Sequence, residues 1–150
     1  MTKDNYYLGI AKAVASKSKC LRKHYGAVIV NNDEIVATGY NGCCRGEQEC
    51  AFCTKIKANK DEAEYASCPA VHAEQNAMLS ASRKEMLGGT LYLYGYDVED
   101  NKDADEVAPC EICLRLIKNS GLDRVCTSSG AEYIRNKTNG LLLKVKYCRN

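Results

Sequence analysis

The chain has 150 residues, 45% apolar and 27% charged, a size and balance that suit one globular domain with a real core. Its 21 basic and 19 acidic side chains leave a formal charge of +2, which argues against a long nucleic-acid polymer or an anionic membrane as partner. The first residues lack the apolar core of a signal peptide, and no run approaches the roughly 20 apolar residues of a bilayer span, so a cytoplasmic location is expected.

In chain order, Tyr7, Ile10, Ala11, Val14 and Ala15 recur at helical spacing and predict an amphipathic helix over about 3–19. Two β-prone runs, 26–30 and 35–40, flank Asn31-Asn32-Asp33-Glu34, which is turn chemistry, and predict an antiparallel hairpin. Periodicity is lost over 41–68, a cysteine-rich loop with a charged stretch at 55–64; a loop of that length is usually functional or held by something other than a core, and a metal is the candidate. A strong helix is expected over 73–86, stopped by Gly88-Gly89, then a strand over 90–94. Residues 97–106 read as an exposed acidic insertion before Pro109. A helix over 111–119, a strand over 124–126 and a last strand over 141–147 complete the chain. This alternation makes the fold α/β, a single domain over 1–150 whose sheet is covered by helices on both faces.

Ten cysteines in a chain expected in a reducing compartment suggest metal binding rather than a disulfide framework. The chemistry concentrates in His72-Ala73-Glu74 and Pro109-Cys110-Glu111-Ile112-Cys113. Each motif lies at the predicted start of a helix, where unpaired N–H groups and the dipole favour thiolate at Cys110 and Cys113. Pro109 suits the position before a helix because its missing N–H would have no partner there. One imidazole and two thiolates give three protein ligands, the number that leaves a catalytic zinc an open fourth position, whereas closed structural sites use four. Two thiolates also cancel the formal charge of Zn2+, which increases the need for an adjacent base, and Glu74 fits it. Glu74 is placed to take a proton from the water and to return it to the reacting group.

The other cysteines divide by context. Cys126 and Cys148, in strand-like segments, read as small core residues. Cys20, Cys50, Cys53 and Cys68 bracket the coreless loop, and four thiolates including a C-x-x-C pair would suit a second, structural zinc. Cys43 and Cys44 could replace one of these or stay as thiols. His24, flanked by Arg22 and Lys23, reads as an exposed residue of a basic segment, and the alternating Tyr92, Tyr94 and Tyr96 as sheet packing.

Together the two motifs match H-x-E…P-C-x-x-C, the pattern of zinc deaminases acting on nucleobases. With Ser18-Lys19-Cys20-Leu21-Arg22-Lys23, 26–30, Ala37-Thr38-Gly39-Tyr40-Asn41-Gly42, 71–77 and 119–125, the chain resembles the deoxycytidylate deaminases over about 18–126. Tyr40 rather than tryptophan, and the cysteine-rich loop, separate it from the similar tRNA adenosine deaminases; His72 rather than cysteine separates it from nucleoside cytidine deaminases. The resemblance implies a three-layer α-β-α sandwich about a central mixed sheet of about five strands. It implies hydrolysis of dCMP to dUMP, a precursor for thymidylate synthesis, with release of ammonia. It also implies a homo-oligomer (a dimer, or a hexamer built as a trimer of dimers) and dCTP and dTTP as effectors. In some members a second zinc lies near positions matching Cys20 and Cys50. By the same resemblance Asn41 binds the sugar, and Ala73, Ala27 and Val28 line the base pocket. Lys19, Arg22, Lys23 and Arg45 are unranked candidates for the 5′-phosphate.

The sequence departs from the family where Cys43-Cys44 stands in place of a usual proline, in a shortened 50–68 loop, and in the 97–106 insertion. Two rivals remain open at this level. One is an enzyme of the same fold acting on a free nucleoside, a pterin or riboflavin precursor, or a base in tRNA. The other is a non-catalytic zinc-stabilised module, against which the carboxylate of Glu74 argues.

Overall fold

The computed structural model of the protein describes residues 1–53 and 68–149. The charged stretch expected at 55–64 lies outside them. Helix α1 (Lys3–Ala15) starts at Thr2, whose hydroxyl accepts the Asn5 N–H at 3.1 Å, and buries Tyr7, Ala11 and Ala15. It stops four residues short of the expected end. The Lys17 and Ser18 amides bond the carbonyls three residues back, Val14 and Ala15, and this tightened turn ends the helix.

Strands β1 (Lys23–Asn31) and β2 (Glu34–Tyr40) form the expected hairpin, turned by Asn32 and Asp33 at φ 56° and 61°. Two successive left-handed residues are what a two-residue hairpin turn demands, and Asn and Asp tolerate them. Strands β3 (Gly42–Cys43) and β4 (Ala70–Val71) make a separate two-stranded ribbon joining the ends of the long loop.

The helix expected over 73–86 is two helices, α2 (Ala73–Leu79) and α3 (Arg83–Met86). The break is a second capping box: Ser82 Oγ accepts the Glu85 N–H at 3.1 Å, and Glu85 accepts the Ser82 N–H at 2.8 Å. Strand β5 (Thr90–Asp97) follows, then β6 (Lys102–Asp103), α4 (Glu111–Ser120), β7 (Arg124–Thr127), β8 (Glu132–Arg135) and β9 (Leu142–Lys146). Helix α4 ends at Gly121, φ 91°, a left-handed cap that suits glycine.

The insertion at 97–106 is only partly exposed. Its β6 pairs with β5, and Ala104 is buried in the core. Strand β8 had no counterpart in the expected elements: a four-residue strand among turn residues gives too little alternation to be seen.

The main sheet has seven strands rather than about five, in the order β2-β1-β5-β7-β8-β9 with β6 on β5. The β5–β7 pair is parallel and the other pairs are antiparallel, so the sheet is mixed. One face packs Tyr7, Ala11 and Ala15 of α1 against Val28, Val30, Tyr92 and Tyr94. The other packs Ala73 and Ala77 of α2 and Ile117 of α4 against Ala27, Ile29, Leu91 and Leu93. Both faces are therefore covered, as an α/β sandwich requires.

Two glycines let the helices approach the sheet. A Cβ on Gly26 would lie 2.0 Å from the Ala11 carbonyl oxygen of α1, and one on Gly39 would lie 2.3 Å from the Ala77 nitrogen of α2. No side chain fits either place. The depth at which α2 sits on the hairpin is thus set by Gly39 of β2.

Candidate active site

His72 and Cys110 are the residues immediately before α2 and α4, both extended, at ψ 154° and 169°. Extended backbone at a helix start turns the side chain off the helix end, so two helix N-termini aim their first side chains at one point. Gln75 Oε1 accepts the His72 N–H at 2.8 Å, and Cys110 Sγ accepts the Cys113 N–H at 3.5 Å. These local bonds fix both caps.

The resulting cluster is tight. His72 Nδ1 lies 3.3 Å from Cys113 Sγ and 3.6 Å from Cys110 Sγ. The three ligand atoms lie within 4.8 Å of one another, and among the described residues this is the one such group of His, Cys, Asp or Glu. Cys113 is buried and Cys110 exposed, so the cluster is open on one side. Burial, then the nearby Glu74 and Cys110, push the Cys113 thiol up when no cation balances them. Two sulfurs and an imidazole converging in that way fit a zinc ion, which would hold both sulfurs as thiolates.

Glu74 stands in the first turn of α2 and is 5% exposed. Burial raises its carboxyl above the ordinary carboxylate value, against the lowering effect of its own backbone N–H and of a bond to Cys113. A buried carboxyl beside a three-donor metal set, near a helix N-terminus, can both take and return a proton.

The cluster opens into a cavity of about 200 Å3 lined by Asn41, Tyr25, Leu93, Arg22 and Lys23, as well as His72, Glu74 and Cys110. Asn41 is 6% exposed. Its Oδ1 accepts the Tyr25 N–H at 2.8 Å, its Nδ2 donates to the Lys23 carbonyl at 2.9 Å, and its own carbonyl accepts the Ser18 hydroxyl at 2.9 Å. Each amide atom of the side chain keeps one further hydrogen-bonding position.

Several expected site residues lie elsewhere. Val28 packs among Tyr7, Ala11 and Ala15 on the opposite face of the sheet, because strand side chains alternate and Ala27 takes the site-side position. Ala27 and Ala73 are fully buried in the core beneath the site and do not line the cavity. Lys19 and Arg45 line a second cavity of about 720 Å3, with Lys17, Glu47 and Glu49.

Of the four thiols expected to share a second zinc, Cys20, Cys53 and Cys68 line the catalytic cavity, while Cys50 Sγ lies 3.9 Å from Cys43 Sγ. His24 is half-buried rather than exposed: its Nε2 lies 2.9 Å from the Cys20 carbonyl oxygen and its ring stacks on Tyr96 at 5.9 Å. Cys126 is buried as expected, whereas Cys148 follows β9, is half-buried and accepts the Ser129 hydroxyl at 3.1 Å. Tyr25, Leu93 and Ala108 line the cavity without having stood out in the sequence. A signal for Tyr25 was Gly95 on the neighbouring strand, where a Cβ would lie 2.9 Å from the tyrosine ring.

A His/Cys/Cys metal set on two helix N-termini, a buried glutamate beside it and an α-β-α sandwich define a zinc-dependent deaminase domain. Residues 1–129 match the cytidine and deoxycytidylate deaminase zinc-binding region, and the chain belongs to that family. It is 38% identical to the deoxycytidylate deaminase of Mycobacterium phage D29 over 128 residues, 81% of this chain and 91% of the phage protein. It is 32% identical to the deoxycytidylate deaminase of Schizosaccharomyces pombe over 125 residues, 81% of this chain and 35% of the yeast protein. The apo crystal structure of dCMP deaminase from cyanophage S-TIM5 has the same fold, with a TM-score of 0.60 at 24% identity, covering 94% of this chain and 90% of that one.

Proposed function

We propose that this chain hydrolyses dCMP to dUMP and ammonia. The observation that carries the reading is the convergence of His72, Cys110 and Cys113 beside the buried Glu74, in a cavity that also holds Asn41. The relatives named deoxycytidylate deaminase support the substrate. His72, Cys110 and Cys113 would hold a zinc ion, which would supply the Lewis acidity for activating water.

The chain's own groups do the rest. Glu74 accepts the proton of the attacking water and gives it to the ring nitrogen beside the amine-bearing carbon. A second proton then leaves with ammonia. The Glu74 carboxyl, raised by burial, is suited to carry that proton between the two steps. The remaining positions on the Asn41 amide are available to the sugar, and its bonds to β1 hold it rigid.

Three further parts belong to this reading. Of the thiols expected to hold a second, structural zinc, Cys20, Cys53 and Cys68 line one cavity, whereas Cys50 stands beside Cys43 and the four sulfurs form no metal-binding group among the described residues. Effector binding by dCTP or dTTP is supported by the separate cavity with Lys17, Lys19 and Arg45. Assembly with further copies is supported by Leu79, Ile112 and Leu116, which are 79%, 59% and 46% exposed. Among the described residues no helix is long and apolar enough to cross a membrane. A cytoplasmic location is supported by the need of the metal set for reduced sulfur.

Ammonia release from dCMP, CMP, dCTP, deoxycytidine, cytosine, adenosine and guanine, with and without dCTP as activator, tests the reading. Strong preference for dCMP is expected. Turnover of a different base or nucleoside with dCMP inert would move the chain to another substrate within the family.

A further inference from the structure

Cys43 and Cys50 take no part in the catalytic cluster, yet their sulfurs lie 3.9 Å apart, in van der Waals contact. A tight turn brings them together. The Glu47 N–H closes on the Cys44 carbonyl at 3.0 Å, and Gly46 stands at φ 84°, the left-handed third position of a turn that favours glycine. The chain reverses there and returns Cys50 to Cys43.

The two cysteines differ in how firmly they are held. Cys43 belongs to β3, paired with Ala70 of β4, and is half-buried. Cys50 is exposed, and residues 48–50 lie outside any helix or strand. A disulfide is about 2.05 Å long, so closing from contact to bond asks for roughly 2 Å of movement, which the irregular segment at Cys50 can supply while β3 stays in place. Burial first, then the bond to Cys50, push the Cys43 thiol up to about 11, which leaves Cys50 as the sulfur that opens an exchange. The pair also stands between the two cavities: Cys43 lines the larger one with Asn41, and Cys53, three residues after Cys50, lines the catalytic one.

We propose that Cys43 and Cys50 form a reversible disulfide by exchange with a low-molecular-weight disulfide, and that the bridge, acting through the short step from Cys50 to Cys53, alters the wall of the catalytic cavity. The Cys50 thiolate attacks one sulfur of the small disulfide, expels one small thiolate and forms a mixed disulfide. The Cys43 sulfur then attacks the Cys50 sulfur, gives up its proton to solvent and expels the second small thiol. Two protein thiols are oxidised and one small disulfide is reduced to two thiols. In a reducing compartment such a bond is transient and senses redox state. The bond itself is independent of the proposed substrate.

The test treats the zinc-loaded protein with glutathione disulfide, alkylates the remaining thiols and maps the peptides by mass spectrometry. Wild type should lose two hydrogens and give a peptide linking Cys43 to Cys50, both reversed by dithiothreitol. Cys43→Ser should stop at one glutathione on Cys50, and Cys44→Ser should still form the bridge. No bridge in wild type, or a bridge from either cysteine to Cys44 or Cys53, overturns the proposal.

The link to the site is read as kcat/KM for whichever pyrimidine or purine compound the reduced wild type prefers. It should fall by about 3- to 30-fold on bridging and recover with dithiothreitol, the scale on which a small displacement at a site acts. Cys43→Ser should show no such fall. An equal fall in that variant traces the loss to other thiols, and an unchanged value in the bridged wild type removes the effect on the cavity; either result overturns the link. A preference for a compound other than dCMP takes down the substrate reading and leaves the bridge standing.

Discussion

His72 Nδ1 and Cys113 Sγ lie 3.3 Å apart although 41 positions separate them in the chain. Burial first, then Glu74 and Cys110, push the Cys113 thiol up when no cation balances them, and a zinc ion shared by the imidazole and the sulfurs gives the contact a chemical role. Cys113→Ser should therefore lose the catalytic zinc, measured as metal per chain after dialysis. Retention of the full zinc content in that variant would place the metal elsewhere. If the second zinc is present, wild-type protein should return about two ions per chain, falling toward one in Cys53→Ser. A clean value of one in the wild type removes the second site.

Glu74→Gln keeps the size and shape of the side chain and removes its proton-carrying function. Zinc content and melting temperature should stay near wild type, while kcat falls by about 10²- to 10⁴-fold. A variant with wild-type turnover would mean that another group moves the proton.

Gly39 is expected to be intolerant of a methyl group. Its Cβ would meet the backbone of α2 at 2.3 Å, so Gly39→Ala should cost about 3 kcal/mol and lower activity by moving the helix that bears Glu74. Gly42 has nothing within 4 Å of such an atom, and Gly42→Ala should stay within about 1 kcal/mol. Urea titrations of the two variants check the contrast. Equal stabilities would show that α2 can retreat from the sheet at little cost.

Asp4 and Arg124 tie α1 to β7. Arg124 donates to both carboxylate oxygens at 2.8 and 2.7 Å, Tyr92 adds a bond at 2.9 Å, and Glu132 also pairs with Arg124. The Arg124 hydrogen bond, more than any other cause, holds the Asp4 carboxyl below its ordinary value of 3.8. A carboxyl lowered on folding adds stability above the unfolded pKa and loses it as pH falls through the folded one. Asp4→Asn should thus cost about 1 kcal/mol at neutral pH, a figure kept small by the partial exposure of Asp4, and the difference should shrink below about pH 4. A penalty that persists at pH 2 would trace the loss to packing and not to charge.

Asn41→Ala removes the groups that satisfy the Tyr25 N–H and the Lys23 carbonyl, and it should cost about 1–3 kcal/mol of stability. KM for the nucleotide should rise as well, because the start of β1 loosens. Thermal melts and steady-state kinetics on the same preparation check both; a rise in KM with no loss of stability would leave Asn41 a sugar contact alone.

The cluster of His72, Cys110 and Cys113 with Glu74 buried beside it was legible from two short motifs, since the residues of each are near neighbours in the chain. The hairpin was legible for the same reason: Asn32 and Asp33 carry their own turn geometry. The helix over 73–86 misled because Ser82 and Glu85 cap a new helix inside a stretch of uniformly good helix formers. Strand β8 was missed because four residues carry too little pattern.

What the sequence by itself determined, then, was the donor set His72, Cys110 and Cys113 that the fold brings together, and the reaction class such a set permits, because donor type and short spacing are local properties. Only the tertiary structure decided that Val28 turns away from the site, that Arg22 and Lys23 line the catalytic cavity while Lys19 and Arg45 line another, and that the Val98 N–H holds the Arg22 carbonyl. Those outcomes depend on strand parity, on which backbone carbonyl meets which amide across the sheet, and on how closely a helix can approach a glycine. None of these is settled until distant segments pack together.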